Sequence, residues 1–289
     1  MNTTLIKSLA TAVLCTQGAI AGVITQMDGR NNIRIENDWD ITDDGRRFDI
    51  DRVANARGKK PILQNKNGRR NVVFYDHFPS SGNTRDRVEH YFIPRSQGRN
   101  ARRFMKYSFR IPGAFGNVDK WMGFCQLKQN RSRFAFQFMS MKQNTSNRLR
   151  FTLLHYRNSF FNESTRKLSH DGRFFDQSAE RTISKNVWYD VLMKYDRTSE
   201  KDAIIWLKPS SERFWKSSHM VIRRRGGVGY DFNLIGTPGN WRDQKNAYNV
   251  NGRLGLYQAS STNRHSFNLD NVRVGDLWSS TADWRPADN

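Results

Sequence analysis

Cysteine is nearly missing: the 289 residues hold two, Cys15 and Cys125. Cys15 falls in a leader, Met1 to Ala21. One Lys, a short apolar run and Ala19-Ile20-Ala21 before Gly22 give it the layout of a secretory signal peptide, with cleavage expected after Ala21. A lipid anchor at Cys15 is the rival reading, but Leu14 stands where such sites want a small residue. Losing the leader leaves Cys125 as the one thiol, which excludes internal disulfides and requires a real hydrophobic core. Cys125 itself, in Trp121-Met122-Gly123-Phe124-Cys125, reads as core packing.

Long apolar runs are also lacking. The leader is too short, and too polar at Thr16-Gln17-Gly18, to span a bilayer, and no later segment could do so. No stretch keeps a 3.6-residue period, no internal repeat occurs, and no linker divides the chain. Residues 22–289 are therefore expected to form one domain of a secreted or periplasmic protein, a monomer with no membrane partner. No metal-ligand cluster, phosphate-binding glycine loop, Ser-His-Asp set or paired-glutamate glycosidase motif is visible, so no cofactor is expected. A weak exception is Asp40-Ile41-Thr42-Asp43-Asp44-Gly45 with Asp51 in the twelfth place, which approximates a calcium loop without flanking helices. An acidic turn is the plainer reading.

Acidic residues are the minority charge, 27 Asp plus Glu against 48 Lys plus Arg, for a net +21. Without Lys7 in the leader the balance is 47 − 27 = +20. Such a charge selects polyanionic partners. Export argues against nucleic acid, and the cations are spread along the chain instead of forming an arm or a helix face. An acidic polysaccharide is the expected partner.

What the chain does have is short runs of aromatic and β-branched residues between Gly, Asn, Ser and Pro clusters. Strands are expected at 72–75, 88–93, 104–111, 121–127, 134–141 and 148–156, then at 188–195, 204–207, 253–257 and 267–274. Asn55 to Arg70 reads as a basic loop, and Glu212 to Asn246 as a long rim loop carrying Arg223-Arg224-Arg225-Gly226-Gly227. This density of strands predicts an all-β jelly-roll sandwich with a concave groove. Alternation sorts side chains onto two faces. Arg87 and Glu89 share a face, as do Gln126 and Lys128, and Arg253, Gly255 and Tyr257. Lys106, Ser108 and Arg110 oppose Tyr107 and Phe109. His155 falls on the face of Leu149, Phe151 and Leu153, as a core histidine would.

Arg87-Val88-Glu89 resembles the Arg-x-Glu strand of the jelly-roll polysaccharide lyases. Trp121 with Gln126-Leu127-Lys128 resembles their Gln-x-His strand, and Arg253-Leu254-Gly255-Leu256-Tyr257 their Lys-x-Gly-x-Tyr strand. Trp188-Tyr189-Asp190-Val191 with Ile204-Ile205-Trp206-Leu207, and then Asp270 to Gly275, resemble their paired and closing strands. The ordered series is similar to the heparin lyase I and glucuronan lyase group, and more distantly to alginate lyases.

The resemblance implies β-elimination on a 1,4-linked uronate polymer. Arg87 and Gln126 would neutralise the uronate carboxylate so that the C5 proton can leave. Tyr257 would protonate the leaving oxygen, and in one version remove the proton as well. Glu89, Lys106, Arg110, Arg150 and Arg253 are the expected substrate-binding residues. Lys128 stands in the histidine slot, and a lysine is a poorer base than histidine at neutral pH. His90 is the substitute candidate, although alternation places it opposite Arg87 unless a bulge intervenes. Gly255 is expected to leave room for a sugar ring. The rival readings are a non-catalytic glycan-binding jelly roll, a β-sandwich hydrolase and a secreted nucleic-acid binder.

Overall fold

A computed structural model describes residues 23–27, 32–52, 59–78, 85–93, 102–129, 135–156, 159–162, 167–170, 174–196, 203–224, 250–259 and 261–275. Numbered in chain order, the strands begin with β1 (Val23–Met27), β2 (Arg34–Ile35), β3 (Ile41–Asp43), β4 (Arg46–Phe48), β5 (Ile50–Arg52), β6 (Ile62–Lys66) and β7 (Arg69–His77). They continue with β8 (Arg85–Ile93), β9 (Arg102–Arg110), β10 (Met122–Gln129), β11 (Ala135–Met141), β12 (Arg148–Tyr156), β13 (Ser159–Asn162) and β14 (Lys167–His170). The last are β15 (Phe174–Thr182), β16 (Trp188–Asp196), β17 (Ala203–Pro209), β18 (Met220–Arg224), β19 (Val250–Ala259) and β20 (His265–Gly275).

Two antiparallel sheets make an all-β jelly-roll sandwich. One has seven strands in the order β15-β12-β11-β10-β19-β8-β5. The other has eight: β18-β17-β16-β9-β20-β7-β6 in a row, with β1 added beside β20. The pair β13-β14 and the three strands β2-β3-β4 form small separate sheets. Alternation explains the layering. In β9, Met105, Tyr107 and Phe109 enter the core while Lys106, Ser108 and Arg110 take the other face. In β19, Leu254 and Leu256 enter it from the opposite sheet.

The sheets meet through aromatic and sulfur contacts. Phe124 of β10 stacks on Phe267 of β20 with centroids 4.8 Å apart, and Phe267 continues to Phe109 at 6.0 Å. Cys125 Sγ lies 3.7 Å from Met193 Sδ. Burial raises the Cys125 thiol well above its ordinary range, which keeps it protonated and inert. Tyr75 of β7 reaches across to His90 of β8, its hydroxyl 2.7 Å from Nδ1.

Two short connections share one backbone conformation. Asp44-Gly45 links β3 to β4 with φ of 46° and 79°, and Asn67-Gly68 links β6 to β7 with φ of 49° and 77°. Positive φ at both loop positions is the hairpin turn that Asn-Gly and Asp-Gly favour. The stretch Asn55 to Arg70 is thus not a loop throughout: its second half is a hairpin. Likewise Arg223 and Arg224 belong to β18, while residues 225–249 lie outside the described ones, as does the leader.

Gly255 has a different task from the one its sequence context implies. Its φ is +146°, and a Cβ there would lie 2.3 Å from Val88 O and 2.8 Å from Glu89 Cα. The glycine serves the close approach of β19 to β8. The strand is also irregular here: Gly123 opposes Tyr257 and Cys125 opposes Leu254, so β19 spends one extra residue against β10. Gly255→Ala should therefore cost at least about 2 kcal/mol of stability, from backbone strain and the collision with β8. Urea denaturation checks this, and an unchanged midpoint would refute the packing account.

Candidate functional site

Strand pairing assembles the polar face of the seven-stranded sheet. In β8 and β19, Arg87 opposes Tyr257, Glu89 opposes Gly255 and Tyr91 opposes Arg253. In β10, Gly123 opposes Tyr257 and Gln126 opposes Arg253. Directly opposed residues share a face. Arg87, Glu89, Tyr91, Gln126, Arg253 and Tyr257 therefore stand together, away from the core that takes Val88, Leu254 and Leu256.

Glu89 is the pivot of this group. It has no exposed surface, and Oε1 accepts a 2.6 Å hydrogen bond from Gln126 Nε2. Oε2 lies 3.5 Å from Arg87 Nε. Gln126 is two strands away from Glu89, so the bond passes over β19 beside Gly255, where no side chain stands between them. A buried carboxylate held this way orients both an amide and a guanidinium.

Tyr257 is held by its ring. The Arg87 guanidinium lies 4.2 Å from the ring centroid, and Trp121 meets the ring edge-to-face at 4.6 Å and 74°. Trp121 is exposed and Tyr257 half-buried, so the stack is open to solvent on one side. Arg253 lies 4.5 Å over the Tyr91 ring in the neighbouring row. Such cation–π contacts fix the planes of both partners. Tyr91 was not among the expected residues, although it follows Glu89 by two and so shares its face.

The structure brings Arg87, Gln126, Arg253 and Tyr257 together, and it separates others. His90 is not in this group. β8 runs without a bulge from Arg87 to Tyr91 against β19, so alternation sends the His90 ring into the core. There Nε2 lies 2.8 Å from the Trp39 carbonyl, which can only accept, so Nε2 carries the proton and Nδ1 accepts from the Tyr75 hydroxyl. Trp39 adopts φ of 79°, an uncommon conformation for so large a side chain. Glu89, expected to bind substrate, has no exposed surface and faces Arg87 and Gln126 instead. Lys106 and Arg110 lie on β9 in the other sheet, facing away from the core and so on the far side of the sandwich. Arg110 bonds Asn268 Oδ1 at 3.0 Å and the Asn186 carbonyl at 3.2 Å.

Arg150 shares the open face, three strands from Tyr257. Lys128 lies on β10 opposite Asn251, and its side chain falls outside those described, as does that of His155. In the acidic segment, Asp40 Oδ1 accepts the Ile50 N–H at 2.7 Å, and Arg47 pairs with both Asp38 and Asp40. Asp44 sits in the hairpin turn. Among the described residues no group of three or more His, Cys, Asp or Glu is placed to hold a metal ion.

No family model matches the chain, and no curated protein matches it in sequence. Among solved structures it is similar to an endo-β-1,4-glucuronan lyase from the fungus Trichoderma reesei, with a TM-score of 0.51 and 15% identity. That match covers 90% of this chain and 98% of the lyase. It is also similar to the binding domain of botulinum neurotoxin DC in complex with SialylT, with a TM-score of 0.45 and 11% identity, over 88% of this chain and 47% of that one. The Emp47p carbohydrate recognition domain matches with a TM-score of 0.42 and 11% identity, over 87% and 94% of the two chains. At these identities the likeness is one of fold.

Burial sets the acid limit of the scaffold. Desolvation lowers His90 to about 4 and His77 to about 3, from an ordinary 6.5. Both rings are neutral when folded, and the unfolded chain binds more protons below pH 6.5. Their contribution is full above that value and is lost as pH falls toward 4. Histidine NMR should show His90 as the Nε2–H tautomer at neutral pH, still neutral at pH 5. A midpoint near 6.5 would contradict its placement.

Proposed function

We propose that the open face of the seven-stranded sheet binds a 1,4-linked uronate polysaccharide and cleaves it by β-elimination. The observation that carries this reading is the convergence of Arg87, Gln126 and Tyr257 above the buried carboxylate of Glu89. A guanidinium and an amide held side by side suit a carboxylate, and hydrogen bonding to its developing enolate lowers the barrier to losing the C5 proton. In the reaction the C5–H bond breaks, its electron pair forms the C4–C5 double bond, and the C4–O bond breaks. Tyr257 supplies a proton to the departing oxygen; when its phenolate removes the C5 proton first, the same proton is passed on. Arg253 addresses the carboxylate of a neighbouring sugar, and Lys128 is the alternative base. The likeness in fold to a glucuronan lyase agrees with this substrate class.

A second reading is a non-catalytic glycan-binding protein, favoured by one feature. Trp121, Tyr257 and Arg87 form a partly exposed stack, and such a surface packs against a sugar ring without chemistry. Incubation with glucuronan, alginate, heparin and hyaluronan, followed by ultraviolet absorbance of an unsaturated uronate, separates the two. Cleavage of one of them is expected, and Tyr257→Phe should lower its turnover by on the order of a hundredfold while glycan binding persists. Near-parental turnover in that variant would remove Tyr257 from the mechanism.

The net charge of +21 makes long-range attraction part of binding. Affinity for the acidic polymer should therefore fall steeply between low and high ionic strength. A flat salt dependence, measured by titration calorimetry, would show that contact chemistry alone sustains the complex.

A further inference from the structure

At the far edge of the same face one carboxylate is shared by three cations. Glu180 of β15 receives Lys142 Nζ at 3.2 Å and Arg148 Nη1 at 3.3 Å on Oε2, and Arg150 Nη2 at 3.4 Å on Oε1. All three contacts are long for charge-assisted hydrogen bonds, and the side chains of the three cations are 38%, 54% and 44% exposed. Three positive charges around one negative charge leave a local excess of two. Arg150 Nε is buried and has no hydrogen-bond partner. Glu180 is held below the usual carboxylate range chiefly by the hydrogen bond from Lys142, so it stays charged and keeps the cations gathered. Exposed ion pairs of this kind contribute little to stability, so giving them up to a competing carboxylate costs little.

The cluster is also aligned with the site described above. Arg87 opposes Tyr257, Tyr257 opposes Gly123, Gly123 opposes Ser140, Ser140 opposes Arg150, and Arg150 opposes Glu180. This is one continuous row across the strands, and between Tyr257 and Arg150 it passes only a glycine and a serine. Neighbouring strands are about 4.8 Å apart, so three intervals separate Tyr257 from Arg150 by roughly 14 Å. An extended 1,4-linked pyranose chain advances per sugar by roughly one strand spacing. Laid along the row, it meets the cluster about three sugars from Tyr257, with small side chains beneath it.

We propose that Lys142, Arg148 and Arg150 form a distal subsite for a uronate carboxylate, with Glu180 holding the place of that carboxylate when no glycan is bound. The proposal rests on the reading that the open face binds a uronate polymer, and it adds the direction of that polymer and a minimum length. Binding no longer depends only on the residues around Tyr257: an oligomer long enough to reach β12 displaces Glu180 and pairs its own carboxylate with the three cations.

Calorimetric titration of tri- and hexaglucuronate, and of the mannuronate counterparts, tests this in a Tyr257→Phe background that preserves the ligands. Adding Arg148→Gln and Arg150→Gln together should weaken the hexamer about tenfold and change the trimer by less than about twofold. Glu180→Gln should tighten the hexamer severalfold and leave the trimer unchanged, an effect opposite in sign to general damage. Thermal denaturation of each variant confirms that the exposed substitutions leave the fold intact. If the hexamer binds the Arg148→Gln, Arg150→Gln protein as tightly as the background, the distal subsite is overturned while the reading of the open face stands. If the background binds none of the four ligands, that reading fails first and the subsite with it.

Discussion

A carboxylate without solvent exposure sits in the polar face of the seven-stranded sheet, and the site is built around it. Removing a carboxylate from water costs several kcal/mol unless charge and hydrogen bonds offset it. Glu89 meets that demand with Gln126 on one oxygen and Arg87 beside the other. The demand runs in both directions, because the two partners lose their freedom to turn elsewhere. Arg87 in turn lies over Tyr257, and Tyr257 against Trp121. One buried charge thereby orders a chain of side chains that spans β8, β19 and the start of β10.

The backbone has to allow that chain of contacts. Gln126 and Glu89 are on strands that are not neighbours in the sheet, and they meet over β19 beside Gly255, which has no side chain to stand between them. The same glycine lets β19 approach β8 more closely than any other residue would permit. Its conformation belongs to the irregular pairing of β19 with β10, which also turns both Phe124 and Cys125 into the core in succession. A regular strand would have brought one of those two residues out among the polar groups.

The core takes a share of the chemistry away from the open face. His90 ties the two sheets together through Tyr75 and the Trp39 carbonyl, and desolvation keeps its ring neutral. Among the described side chains no histidine stands with Arg87 and Tyr257. On the proposed lyase reading, proton transfer falls to the Tyr257 phenol or to Lys128. On the same reading the abundance of Arg and Lys would draw in a polyanion at long range, and at Glu180 it gathers three cations on one carboxylate.

The amino-acid sequence alone determined where most strands lie and which residues of each strand share a face. Period-two alternation is local, so Arg87 with Glu89, and Arg253 with Tyr257, could be grouped from their spacing. It could not tell which sheet a strand joins. Lys106 and Arg110 alternate as convincingly as Arg87 does, yet β9 pairs with β16 and β20, and the pairing carries them to the other side of the sandwich. Asn67-Gly68 marked a hairpin that the basic residues around it concealed. Glu180 gave no local sign at all, since its three cations come from β12 and from the turn before it. Tertiary structure decided these points because strand partners are chosen by long-range packing of whole faces. Only after that choice do residues as far apart as Arg87 and Glu180 fall into one row.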